Sequence, residues 1–448
     1  MKTPICDFVR AYAESDVLRL HMPGHKGIGP LGVEALDITE IKGADDLFDA
    51  HGIIRESEEN ASRLFGAHTF YSTEGSSLSI RAMLYLTLLY AKEQGRAPLI
   101  WAGRNAHKTL LSALALLDMD VRWIYSSDHA SYFSCPLSAE ALERMLTETA
   151  ELPVAVYLTS PDYPGRMADV AGIARVCHRH GVLLLVDNAH GAYLKFLSPS
   201  AHPMDLGADL CCDSAHKTLP ALTGTGYLHI SHNAPKALFE NARAALSLFA
   251  STSPSYLLLQ SLDALNSYLE SFASVLGEFA VEVGSLKERL QAAGYVLLEE
   301  ELLKISIDAN AYGYRGEALG ELLRKSGVEC ELADINTVVL MLTPRIHKAG
   351  LKRLEKALLD IPRKEALTLP APSFAPCQRI LSPREAMLSP SESVSAKEAL
   401  GRVLAAATVA CPPAVPIAIS GERIDENTLR CFAYYGIERC LVVKENEI

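Results

Sequence analysis

Two rhythms of apolar and polar positions run along the chain. Between residues 98 and 230, short apolar runs recur: Pro98-Leu99-Ile100-Trp101, Val121-Arg122-Trp123-Ile124-Tyr125, Val154-Ala155-Val156-Tyr157-Leu158, Val182-Leu183-Leu184-Leu185-Val186 and Asp209-Leu210-Cys211-Cys212. Runs of this length without polar alternation read as strands covered on both faces. Stretches with helical spacing, 106–117, 138–149 and 170–180, separate most of them. Strand and helix in alternation predict an α/β fold with a mostly parallel sheet. In such sheets ligands sit outside the carboxyl ends of the strands.

The flanks follow the helical rhythm. A short helix is expected within 3–20, a helix over 55–65 ending at Gly66, and an apolar helix over 78–93. Before the last of these, Thr69-Phe70-Tyr71-Ser72-Thr73-Glu74 is β-rich and runs into the turn Gly75-Ser76-Ser77. Beyond 230, helices are expected at 235–249 and, as one long element, at 255–293. Residues 295–360 return to a strand and helix mixture: strands at 302–307, near Val328 and at 337–342, helices at 316–326 and 347–359. Prolines crowd 362–383. The tail offers a helix at 395–407 and a last strand at 440–443. The pattern divides the chain into 1–265, an N-terminal arm and large domain; 266–365, a linking helix and small α+β domain; and 366–448, a C-terminal domain.

Composition narrows the function classes. The 448 residues carry a net charge of -12 with 49% hydrophobic positions, which suits a soluble globular chain and argues against nucleic acid or anionic membrane as a partner. The longest uncharged apolar stretch, Val403 to Ser420, is interrupted by Pro412, Pro413 and Pro416, and the N-terminus lacks an apolar signal core. Ten cysteines without a CxxC pair read as reduced thiols in a cytoplasmic protein, with no zinc frame.

The chemistry gathers at strand ends. After the run at 209–212 comes Asp213-Ser214-Ala215-His216-Lys217-Thr218-Leu219-Pro220, then Thr223-Gly224-Thr225-Gly226. A lysine there, beside hydroxyl and imidazole groups, suits an amine that bonds an aldehyde whose phosphate the neighbours hold, and pyridoxal phosphate fits that description. Gly75-Ser76-Ser77 at a helix start is a candidate anion site. Asp187, directly after Leu184-Leu185-Val186, is costly to bury without a cation, and a protonated pyridine is one. Each residue has a plainer reading as well: Lys217 as a surface lysine, the serines as helix caps, Asp187 as a cap, His107 and His190 as core histidines. Gly27-Ile28-Gly29-Pro30-Leu31-Gly32 matches a dinucleotide fingerprint by count only, since no strand precedes it.

Taken together, His21-Met22-Pro23-Gly24-His25-Lys26, Gly75-Ser76-Ser77, Arg104-Asn105-Ala106-His107-Lys108, Ser160-Pro161-Asp162-Tyr163-Pro164-Gly165, Asp187-Asn188-Ala189-His190-Gly191, Ser214-Ala215-His216-Lys217, Thr252-Ser253-Pro254-Ser255-Tyr256 and Cys411-Pro412-Pro413-Ala414-Val415-Pro416 stand in the order of a known family. The chain resembles the ornithine/lysine/arginine decarboxylases, pyridoxal-phosphate enzymes of fold type I, in a short form without an N-terminal wing. The resemblance implies a homodimer or a multiple of dimers and a small basic amino acid as substrate. It makes Lys217 the residue that bonds the cofactor and Asp187 the partner of its ring nitrogen. His107 would stack on the ring and handle protons. Gly75, Ser76, Ser77, Ser214 and His216 would hold the phosphate, and Ala189 and His190 would line the ring's far side. Thr223 and Thr225 would reach a neighbouring subunit's cofactor. Glu331 and Asp334 are candidates for the substrate's distal cation, with a solvated loop as the plainer reading. Two departures stand out: Asn188 and Gly224, where the family often has Glu and Gln. An aminotransferase using Arg315 or Arg345, an amino-acid lyase, and a non-catalytic cofactor-binding homologue remain as alternatives.

Overall fold

The computed structural model describes the whole chain except residues 127–130, 370–371, 410–413 and 446–448. The first half of the motif at 411–416, residues 411–413, therefore lies outside the described residues. The chain forms two compact units, Met1–Arg96 with Cys177–Leu276, and Ala97–Val176 with Gly277–Ile448.

Seven strands come first in chain order: β1 (His68–Ser72), β2 (Leu99–Gly103), β3 (Asp120–Ile124), β4 (Ala155–Thr159), β5 (Leu183–Asp187), β6 (Leu210–Asp213) and β7 (Gly226–Ile230). The five apolar runs are all strands, shifted by a residue or two. β7 was not anticipated. Its polar His229 and leading Gly226 hide it from an apolar count, yet all five residues are buried.

In the first unit the order is β1-β7-β6-β5. β5 and β6 are parallel, with Asp187 opposite Cys212. β7 runs against both neighbours, with Tyr227 opposite Asp213 and Gly226 opposite Ser72. β5 is buried along its length, as expected of a strand covered on both faces. The helix Gly75–Glu93 packs on β6 and β7 and buries Leu78, Ile80, Met83, Leu84 and Leu86; each such side chain contributes roughly 1.5–3 kcal/mol. The helix begins three residues earlier than the apolar pattern implied, because Gly75-Ser76-Ser77 forms its first turn.

Two expected helices are each a pair. The stretch at 235–249 is Lys236–Glu240 and Ala242–Phe249, joined at Asn241, whose side-chain amide donates to Ala237 O. The stretch at 255–293 is Tyr256–Leu269 and Phe272–Ala292. No Gly or Pro marks that break; Phe272 turns inward and meets Phe196 edge-on at 5.4 Å. A buried polar cluster ties this unit to its N-terminal arm: Ser57 Oγ donates to Asp263 Oδ1, Asp263 Oδ2 accepts from Cys6 N, and Asn266 reaches Tyr71 Oη.

In the second unit β4, β2 and β3 lie in that order and are parallel. A separate antiparallel sheet holds β8 (Lys304–Asp308), β9 (Leu332–Ala333) and β10 (Thr337–Met341), in the order β8-β10-β9. The tail corrects one expectation. In place of a helix at 395–407 the chain forms β11 (Ser391–Ser395), which pairs with the last strand, Arg439–Val443, and a short turn over Ala396–Glu398. Gly401 at φ +78° interrupts what spacing alone read as helical. Helices Pro383–Leu388 and Glu426–Tyr434 were not anticipated; the first starts with a capping box of Ser382 and Glu385. Among the described residues no helix is long and apolar enough to cross a membrane.

Candidate active site

The first unit brings most of the predicted residues to one place. The turn after β6 carries Ser214, His216 and Lys217; the turn after β5 carries Asp187, Ala189 and His190. Lys217 Nζ lies 3.0 Å from His190 Nε2. An ammonium can only donate, so Nε2 accepts and the neutral ring's proton sits on Nδ1. Asp187 is 2% exposed, and its Oδ1 accepts from Ala189 N at 3.2 Å and from the Cys212 thiol at 3.6 Å.

The start of the helix Gly75–Glu93 faces the same turn. Ser214 Oγ donates to Ser76 Oγ at 2.9 Å. Gly75 has φ +66°, and its N–H donates to Gly224 O at 2.7 Å. Gly224 itself has φ +95°, a conformation that suits glycine. Its departure from the family's usual residue thus has a local backbone reason. His216 Nδ1 lies 2.8 Å from Thr225 O and donates to it, so Nε2 of the neutral ring keeps a lone pair and donates to an anion only when the ring is protonated. Burial holds the pKa of His216 below its usual value, and nearby Lys217 adds to this; the Thr225 carbonyl opposes them. Thr225 is fully buried and its hydroxyl is engaged with Leu222 O at 2.7 Å, while Thr223 is exposed.

His107, in the second unit, caps the helix Lys108–Leu117. Its Nδ1 accepts from Thr109 N at 3.2 Å and touches Thr109 Oγ1 at 2.8 Å, so the neutral ring carries its proton on Nε2. In the same unit Asp162 organises its own loop, accepting from Gly165 N, Arg166 N and Ser134 Oγ. Glu331 is exposed and accepts from Tyr163 Oη at 2.7 Å. Asp334 Oδ1 accepts from Asn336 N and Thr337 N, while its buried Oδ2 has no hydrogen-bond partner among the described residues. Burial raises the pKa of Asp334.

Three residues were not anticipated as part of the site. Asp213 is fully buried; its Oδ2 accepts from His202 Nε2 at 3.0 Å and His229 Nε2 at 3.1 Å, and its Oδ1 from Asn188 Nδ2 at 2.7 Å. The signal was present: Asp213 follows a buried apolar run, as Asp187 does. The two histidines carried none, lying 11 residues before Asp213 and 16 after it.

These residues fit a phosphorylated aldehyde cofactor. Helix N–H groups and the hydroxyls of Ser76 and Ser214 form the donor set an anion needs. The cradle is close: a Cβ on Gly226 would lie 2.8 Å from Asp213 O, 2.9 Å from Gly75 C and 3.0 Å from Ser76 N. A lysine amine and a buried carboxylate border the same place. Sheet order and site together define an enzyme of the fold type I, pyridoxal-phosphate-dependent class. Comparison with known proteins narrows this. The model of the "Orn/Lys/Arg decarboxylase, major domain" matches residues 3–292. The arginine decarboxylase of Bacillus subtilis is 30% identical over 468 residues, covering 96% of this chain and 92% of that one. Lysine decarboxylase A of Pseudomonas aeruginosa superposes with a TM-score of 0.80 at 17% identity, over 98% of this chain and 80% of that one. The alanine–glyoxylate aminotransferase of Nostoc gives a TM-score of 0.54 at 18% identity, over 68% and 85%. The chain belongs to the Orn/Lys/Arg decarboxylase family.

Proposed function

We propose that the protein uses pyridoxal phosphate to remove CO2 from a basic amino acid, with arginine as substrate and agmatine as product. The family and the decarboxylase relatives support the reaction. Arginine is favoured because relatives that cover 96% of the chain at 26–30% identity are named arginine decarboxylases. The single observation carrying the chemistry is Lys217 Nζ at 3.0 Å from His190 Nε2, on strand-end turns that also hold Asp187, Ser76 and Ser214.

When bound, pyridoxal phosphate supplies an electron sink for the pair left at Cα as CO2 departs. Lys217 Nζ would be the amine that attaches it, and His190 Nε2, 3.0 Å away, would accept a proton from that amine. Asp187 gives the ring nitrogen an anionic partner and favours its protonated form. Ser76, Ser77 and Ser214 would hold the phosphate, joined by His216 when its ring is protonated; Gly75, whose N–H is bonded to Gly224 O, shapes the turn, and Ala189 and His190 would line the ring. His107, with its proton on Nε2, is assigned as a second proton donor in addition to Lys217 Nζ. Glu331 and Asp334 are assigned to the substrate's distal cation, Glu331 the better suited because burial keeps Asp334 closer to its neutral form. The assembly is a homodimer in which Thr223, exposed on its loop, approaches the partner's cofactor. We place the enzyme in the cytoplasm, in polyamine synthesis; nine described cysteines form no disulfide, which suits a reducing compartment. For the aminotransferase alternative, Arg315 is a poor clamp, since its guanidinium is engaged with Glu317 at 3.1 Å.

The test incubates purified protein and cofactor with arginine, lysine and ornithine, measures CO2, and identifies the amine by mass. Agmatine with stoichiometric CO2 supports the reading. Amino transfer dependent on a keto acid, without CO2, overturns it.

A further inference from the structure

We propose that the Asp213 carboxylate, clamped between His202 and His229, is a positioning residue for decarboxylation: its bond to Asn188 sets how Asp187 and His190 face Lys217. This rests on the reading above, in which those three residues act on the cofactor and substrate.

The site stands on two neighbouring turns, and the register shows how they are joined. Asn188 N donates to Cys212 O at 3.0 Å, continuing the pairing of β5 with β6. One residue further along β6, Asp213 Oδ1 accepts from Asn188 Nδ2 at 2.7 Å. Asn188 lies between Asp187 and the Ala189-His190 pair; Asp213 directly precedes Ser214 and the turn of Lys217. The turn at 188–191 is tight, since Asn188 O accepts from Gly191 N at 2.7 Å and a Cβ on Gly191 would fall 1.9 Å from Asn188 Oδ1. The Asn188 amide thus ties the turn that carries Asp187, Ala189 and His190 to the end of β6.

Asp213 is built to stay where it is. It is 0% exposed, as are Asn188, His202 and His229. His202 Nδ1 accepts from Met204 N, which leaves the ring's proton on Nε2, aimed at Asp213. His229 Nδ1 meets Thr69 Oγ1 at 2.9 Å, anchoring that ring to β1. Phe65 packs on both imidazoles, at 5.6 and 4.6 Å between ring centres. Burial alone would raise the pKa of Asp213, but the two imidazoles hold it well below the usual carboxylate range.

His202 and Asp213, with Cys211, form a cluster whose ligand atoms lie within 4.8 Å of one another. A metal ion there would need the Nε2 lone pair of His202, where the bond from Met204 N puts a proton instead. The hydrogen-bonded network fits the donors; a metal centre does not.

The test compares wild type with Asp213→Asn, Asn188→Ala and the double variant. Four quantities are read: the dissociation constant for pyridoxal phosphate, the pH midpoint of its visible band, the yield of cofactor fixed at Lys217 by borohydride, and kcat against KM. Partners that orient metal ligands are commonly worth about 10–100-fold, and a comparable scale is expected for the carboxylate that orients Asn188. Each single variant is expected to lower kcat about tenfold or more, with KM within about threefold, and to displace the band's midpoint. The double variant should do no more harm than the worse single one, because both changes cut one link. A folded Asn188→Ala with band midpoint, cofactor affinity and kcat within about twofold of wild type overturns the proposal, as do losses that multiply in the double variant. If Asp213→Asn does not fold, Asn188→Ala decides alone. A wild type that fixes no cofactor at Lys217 overturns both this proposal and the function it rests on, and only that outcome reaches the function.

Discussion

Gly226→Ala tests the phosphate cradle with one methyl group. Gly226 opens β7 with an ordinary negative-φ backbone, absent from the glycines with positive φ, so alanine meets no torsional penalty there. The obstacle is steric. The new Cβ would stand 2.8 Å from Asp213 O, 2.9 Å from Gly75 C and 3.0 Å from Ser76 N, about half an ångström inside ordinary contact. All three are backbone atoms, so no side chain can rotate away, and the turn at Gly75-Ser76 must retreat from β6. Overpacking of this kind costs roughly 1–3 kcal/mol of stability. A displaced N–H also forfeits a hydrogen bond to a charged group, roughly 1.5–3 kcal/mol, or about a 10- to 150-fold rise in the cofactor's dissociation constant. Titration of the cofactor's absorbance against apo-protein gives that constant. Pyridoxal without the phosphate gives the contrast, since its affinity should change far less. Gly277→Ala is the control: it lies in the helix Phe272–Ala292 with nothing within 4 Å of its Cβ and should raise Tm slightly while leaving cofactor binding unchanged. A folded Gly226→Ala that binds pyridoxal phosphate within about twofold of wild type would refute the assignment of this turn to the phosphate.

Lys217→Ala should abolish borohydride-fixed cofactor and lower kcat by about 100-fold or more, read by peptide mass and CO2 release. Asp187→Asn should keep the fold and weaken cofactor binding by about 10- to 100-fold, through loss of a charge-assisted bond; unchanged affinity would remove Asp187 from the ring. The depressed pKa of Asp213 makes its stabilisation complete above the unfolded value, about 3.9, and lost as pH falls below that toward the folded value. Urea unfolding across pH should therefore show a gap between wild type and Asp213→Asn that is full at pH 7 and narrows in acid. Ser382→Ala removes a capping box and should cost about 0.5–2 kcal/mol without touching kcat.

The strands that bear the site were legible because burial on both faces leaves an unbroken apolar run, as in β2, β4, β5 and β6; the edge strand β3 alternates instead, with Asp120 and Arg122 exposed. Lys217, Asp187, His190, Ser76 and Ser214 were legible as chemistry out of place: polar groups directly after, or at a turn beside, such runs. β7 was missed because its histidine is satisfied by partners distant in sequence, Thr69 and Asp213, which no local count reveals. The tail helix was predicted in error because helical spacing at 395–407 says nothing of the pairing of Ser391–Ser395 with Arg439–Val443, which claims its first residue. Asn188 registered only as a departure from a family pattern; its meaning depends on Asp213 lying beside it on the next strand.

The reversed course of β7 carries a consequence of its own. Because it returns against β6, Tyr227 stands opposite Asp213, the last residue of β6, and the loop 219–225 closes over ground the phosphate turn already occupies. That loop cannot drift outward as a free surface segment would, since Gly224 O is bonded to Gly75 N and Thr225 to Leu222. Its length is therefore as tightly constrained as its composition, and a single inserted residue between Leu219 and Gly226 would empty the site more surely than most substitutions within it.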